Sequence, residues 1–147
     1  MPVDAPLFLQ GGLFFALLLA ASVTDIKKRI IPDSICLAIA LTGLIGFAPV
    51  KLLGIFCALP FLLAAVLCGG MGGGDIKLMA AAGIVLGMGG GIAATVIGLT
   101  AMLLFYAVYK AITKARGREC SKAFPLAPFL SIGCVAAYIL QIGGFIS

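Results

Sequence analysis

The run CGGMGGGDIKLMAAAG (residues 68–83) sets five glycines around one methionine and then delivers a carboxylate, Asp75, to the head of an apolar stretch. Glycine weakens any ordered element and a carboxylate is costly among hydrocarbon, so two costs side by side point to a use. The apolar stretch that follows, 76–88, meets a second glycine cluster at 87–91. It is short for a bilayer crossing, which takes about 20 residues and about 17 at the least. The second cluster reads as a turn plus a packing face, because Gly83 and Gly87, four apart, let a neighbouring helix come close.

Outward from that run the chain is almost all hydrocarbon. Of 147 residues, 63% are hydrophobic and 10% charged, with a mean hydropathy of +1.28, far from the composition of a soluble domain. Six apolar stretches, 7–24, 35–50, 52–67, 76–88, 92–109 and 125–145, predict an all-α polytopic membrane protein of about six transmembrane helices. The chain reads as a single membrane-embedded domain, 1–147, with no linker, repeat or soluble extension. The first stretch is a retained helix rather than a cleaved signal peptide, since Asp4 precedes it and Lys27, Lys28 and Arg29 follow it. An N-terminus outside then puts nine of the ten Lys and Arg residues on the cytoplasmic side of the inner membrane and leaves Lys51 outside. The basic run KAITKARGRECSK (110–122) is explained as a topology signal at the lipid headgroups, so no nucleic-acid partner is expected.

The residues available exclude much chemistry. There is no histidine, which removes a His-based triad and His-ligated zinc or haem. Five cysteines, an odd number without C-x-x-C spacing, indicate neither disulfides nor a metal site, and four of them lie in apolar runs as small core residues. No cofactor is expected. Of the five acids, Asp4 lies in an exposed N-terminal segment, Glu119 sits among arginines in a loop, and Asp33 after Pro32 is placed to cap a helix. Asp25 and Asp75 differ, each standing where an apolar span meets the same cytoplasmic face. Either alone could simply reach water, but the pair points to function.

Two carboxylates close enough to share a proton divide the work of acid and base. The charged one takes a proton from water as it attacks a peptide carbonyl, and the protonated one donates to the developing oxyanion and helps the amine leave. Such hydrolysis needs no histidine, cysteine or metal. A protease acting on a helix must hold the cleaved segment extended, and Gly72, Gly73 and Gly74 are placed to offer a bare backbone edge for strand-like pairing. This role requires the helix proper to begin only after them. Lys77, two residues beyond Asp75, reads either as an anchor reaching the headgroups or as a contact to an acidic or phosphate-facing part of a substrate.

GGGDIKLMAAAG, with G-x-G-D ending at Asp75, resembles the signature of type IV prepilin peptidases, the membrane aspartyl proteases that include archaeal preflagellin peptidases. TDIKKRIIPD (24–33) is similar to the family's first catalytic segment, and FPLAPFLSIG (124–133) to the I-P-F-G-P-F-L segment that opens its last helix. The resemblance implies that Asp25 and Asp75 are the catalytic dyad. It further implies substrate-binding roles near Gly72, Gly73, Gly74, Lys77, Pro125 and Pro128, and a prepilin-like precursor as substrate, cleaved between its basic leader and its hydrophobic helix. Presenilin-like proteases share G-x-G-D but pair it with Tyr-Asp, whereas Thr24 precedes Asp25 here. The chain goes from Asp25 directly to the second span without the cysteine-rich insert of long members, so peptidase activity is implied and methyl transfer is not. Ala127 stands where the family has glycine. A preflagellin peptidase is an alternative, and so is a small proton- or cation-coupled transporter, which the apolar outer halves of the spans disfavour.

Overall fold

The computed structural model describes residues 5–45, 47–68, 72–118 and 125–145, and the secondary structure there is helical. Helix α1, Ala5–Lys28, is 24 residues long and ends on Lys27 and Lys28, where cations complement the negative end of the helix dipole. Arg29, at a left-handed φ of 53°, and Pro32 then break the helix, and α2 runs over Asp33–Thr42. A 3-10 helix, Pro49–Ala58, leads directly into α3, Leu59–Cys68. Helix α4 covers Gly73–Ala115, and α5 covers Ala127–Ile142.

The 43-residue run of α4 is not one rod. At Gly87 the backbone leaves helical geometry, with φ 74° and ψ −177°. A Cβ built on Gly91 would come within 3.6 Å of the Gly83 Cα, whereas eight residues of unbroken helix separate such atoms by about 12 Å. The chain therefore folds back at Gly87 into two arms. That conformation belongs essentially to glycine. Gly87→Ala is expected to cost about 1–3 kcal/mol, read as a lower melting temperature of the detergent-solubilised protein.

The 3-10 helix packs against this hairpin. With three residues per turn, Lys51, Gly54 and Cys57 share one face, and each meets the α4 hairpin. Lys51 lies against Gly87, Gly54 against Gly83 and Gly87, and Cys57 against Met88 and Gly91. A Cβ on Gly54 would overlap the Gly83 carbonyl, so both glycines are required for backbone to lie on backbone. The close packing expected of Gly83 is seen, as is the turn plus packing face at the second glycine cluster. On the other side of α4, Gly133 of α5 rests on Ala94 and Gly98 in the same way.

Contacts along the helices give their directions. Asp25–Ala127, Ile31–Gly74 and Asp33–Lys77 meet at one end. Gln10–Thr42, Lys51–Gly87 and Gly90–Gln141 meet toward the other. The helical chain thus passes back and forth between two ends, around a core that includes Phe14, Leu18, Met79, Leu86, Leu130 and Cys134. Its outer surface carries many large apolar side chains, among them Phe8, Leu37, Val66 and Leu103, as expected for a hydrocarbon environment.

Among the described residues, three helical stretches are long and apolar enough to cross a membrane: Ala5–Lys28, Pro49–Leu67 and Gly73–Ala115. The helices Asp33–Thr42 and Ala127–Ile142 are apolar but shorter. The chain is an all-helical membrane protein, but its elements depart from the six stretches read from hydropathy. Stretch 35–50 ends its α-helix at Thr42, while 76–88 and 92–109 belong to two arms that reverse at Gly87, within the glycine cluster read as a turn. Hydropathy sees apolar length; it does not see that one glycine with positive φ is enough to reverse a helix.

Candidate active site

Asp25 lies in the last turn of α1 and is 7% exposed. Its Oδ2 accepts a hydrogen bond from the backbone N–H of Ala127 at 3.1 Å. Ala127 is the first residue of α5 and is fully buried, so its amide is one of the N-terminal donors that lack an acceptor within the helix. One turn further in, Ser22 Oγ and Ser131 Oγ are 2.8 Å apart, and Ser22 also donates to the Leu18 carbonyl at 2.9 Å. Ser22 precedes Asp25 by three residues and Ser131 follows Ala127 by four, so each polar group lies under its partner on the same helix face. The result is a buried polar seam that joins α1 to α5 directly beneath Asp25. Ser22, Ser131 and the Ala127 amide were not singled out in the sequence. Their signal was a serine one turn from the acid and another one turn into the last helix, both within apolar runs, where hydroxyls bond across helices.

Asp75 is the third residue of α4, with its N–H bonded to the Gly72 carbonyl at 3.1 Å. The side chain is 9% exposed. Its Oδ1 is buried and has no hydrogen-bond partner among the described residues, an uncommon state for a polar atom. The connection that follows Asp25 packs against the residue before Asp75, through Ile31 on Gly74. The structure therefore brings the two acids to one end of the bundle, one oxygen held by a backbone amide and another left open.

The glycines before Asp75 differ from expectation. Gly72 is extended, at φ −67° and ψ 132°, but α4 already begins at Gly73. Gly73 and Gly74 are therefore helical, and strand-like pairing along them is ruled out. Gly74 has a steric reason instead, since a Cβ there would come within 3.1 Å of the Ile31 Cβ. Gly72 and Gly73 are exposed, while residues 69–71 lie outside the described residues.

Lys77 finds its partner within the chain: Nζ meets Asp33 Oδ1 at 2.8 Å, with both side chains largely exposed. Asp33 consequently does not cap α2. It is the first residue of the helix, Pro32 holds the cap position without a side-chain bond, and the carboxylate turns to Lys77. Pro125 and Pro128 flank Ala127 and are half-buried, Pro128 within the first turn of α5. Cys36, Cys57 and Cys134 are buried core residues. The side chain of Cys68, Cys120, Asp4 and Glu119 lie outside the described residues. No three potential metal ligands cluster among the described residues.

The described residues thus form an apolar helical bundle with two buried acids at one end. Residues 12–110 match the type IV leader peptidase family, and the chain belongs to that family. It is 34% identical over 141 residues to the prepilin leader peptidase/N-methyltransferase of Bacillus subtilis, across 86% of this chain and 53% of that protein. It is 41% identical over 73 residues to prepilin peptidase EppA of Methanocaldococcus jannaschii, across 46% of this chain and 20% of that protein. The chain thus spans about half the length of the first relative and less of the second. No solved structure matches.

Proposed function

We propose that the protein is a prepilin leader peptidase of aspartyl type, which hydrolyses the bond between the basic leader and the hydrophobic helix of type IV or Flp-like pilin precursors. The observation that carries this reading is the burial of Asp25 and Asp75 at one end of an apolar bundle, in a chain of the leader peptidase family. In this reading the helical passages cross the inner membrane with the N-terminus outside. The acids then stand at the cytoplasmic face beside Lys27, Lys28 and Arg29, where a leader is accessible.

The chemistry follows from the pair. One carboxylate removes a proton from water as the water oxygen bonds to the scissile carbonyl carbon, and the other, protonated, donates to the carbonyl oxygen. On collapse of the tetrahedral species one carboxyl gives its proton to the departing amine as the C–N bond breaks, while the other takes a proton from the gem-diol hydroxyl, which restores the singly protonated pair. The two acids act as a unit, each serving as base or acid according to which holds the proton. Ala127 and the Ser22–Ser131 seam hold Asp25 in place. The exposed Gly72 and Gly73 leave the approach to Asp75 free of side chains, and Pro125 and Pro128 shape the facing turn. Residues 29–32 connect α1 to α2 without an insert, and the proposed activity is the peptidase step.

Coexpression with a candidate prepilin tests the reading, with the precursor followed by mass spectrometry. The expected result is a loss of mass equal to the leader. A precursor that stays intact beside folded, membrane-inserted enzyme counts against it.

A further inference from the structure

Two contacts fasten the α1–α2 connection to the head of α4, one on each side of Asp75 in sequence. Before it, Gly74 packs on Ile31, which is 5% exposed. After it, Lys77 is bonded to Asp33. The same connection is anchored to Asp25, whose carbonyl accepts the Arg29 N–H at 2.8 Å. Arg29 is held at a positive φ, uncommon for a residue with a side chain and sustained only by its surroundings. Asp33 and Lys77 also line a groove of about 500 Å³ between α2 and the first arm of α4, together with Cys36, Ala40, Ala81 and Ile84. The ion pair thus ties α2 to the first arm of α4.

We propose that Asp33 and Lys77 are positioning residues: their ion pair, with the Ile31–Gly74 contact, sets the separation of Asp25 from Asp75 during peptide hydrolysis. The inference rests on the reading of those aspartates as the catalytic pair. An exposed ion pair contributes little to stability, so the latch is nearly silent in unfolding. It is felt in turnover, because a misplacement of about 1 Å can cost on the order of 100-fold in rate.

The test compares wild type, Asp33→Asn, Lys77→Met and the exchanged pair Asp33→Lys/Lys77→Asp in liposomes with a prepilin substrate. Each single variant is expected to lose about tenfold in kcat with KM changed by less than about twofold. The exchanged pair should recover most of the loss, and the melting temperatures should stay together. Single variants with wild-type kcat, a change in KM alone, or an exchanged pair no better than the singles would each overturn the proposal; the second outcome would mark Lys77 or Asp33 as a substrate contact. Distances between spin labels at Lys28→Cys and Gly73→Cys give a readout independent of substrate. They should broaden in Lys77→Met and narrow again in the exchanged pair, and an unchanged distribution also overturns the latch. If the wild type cleaves no prepilin while Lys77→Met still shows this broadening, the proposed function is refuted and the latch stands.

Discussion

Asparagine at position 75 is expected to leave a folded membrane protein whose cleavage of prepilin is reduced by about 10³-fold or more, the upper part of what a positioned acid or base contributes. Asparagine is nearly isosteric with aspartate but can neither accept the proton of the attacking water nor deliver one to the oxyanion. The Asp75 site tolerates the change in shape, since Oδ1 has no bonded partner among the described residues for the amide to disrupt. Asp25→Asn should be equally inactive for the same chemical reason. Its amide oxygen retains the capacity to accept from Ala127 N–H, which keeps α1 and α5 in register. Cleavage is read by precursor mass in a reconstituted assay and folding by melting in detergent. Substantial turnover in either folded variant would remove the two-carboxylate mechanism, while loss of both activity and folding would recast the residue as structural.

The largest stability effect is expected at the crossing of the 3-10 helix with the α4 hairpin. Gly83→Val should destabilise the bundle by about 3 kcal/mol, the upper end of ordinary overpacking penalties. The new Cβ would overlap the Gly54 carbonyl, and backbone cannot move aside as the end of a flexible side chain can. Gly54→Val should behave alike, because the contact is reciprocal. Gly12→Ala supplies the contrast: Gly12 lies within α1, and a Cβ there meets nothing within 4 Å. It should be neutral or raise stability by about 0.4–1 kcal/mol through reduced backbone freedom in the unfolded chain. Melting temperatures in one detergent compare all three. A Gly83→Val protein as stable as Gly12→Ala would show that the two segments do not touch as described.

Much of the architecture could be read from the residues because it depends on quantities that add along the chain. Apolar composition identified a helical membrane protein, and the isolation of Asp25 and Asp75 among hydrocarbon singled them out without any coordinates. The glycine cluster at 87–91 was readable as a turn because positive φ favours glycine, although the turn proved to be Gly87 itself and the following glycines helical. Local rules failed where a distant partner competed. Asp33 has the position of a capping residue, yet Lys77, on another helix, takes its carboxylate. Gly74 looked available to a substrate strand, but it is filled by the approach of Ile31.

The chain's own composition was thus sufficient for its environment, its helical class and the two acids worth watching, since burying a carboxylate in hydrocarbon is costly whatever the fold. Pairing was beyond it. The Ala127 amide meeting Asp25, the Ser22–Ser131 seam, the Asp33–Lys77 bond and the fit of Gly54 onto Gly83 join residues far apart in the chain. Each depends on helix register, which close packing sets only when all the helices are assembled.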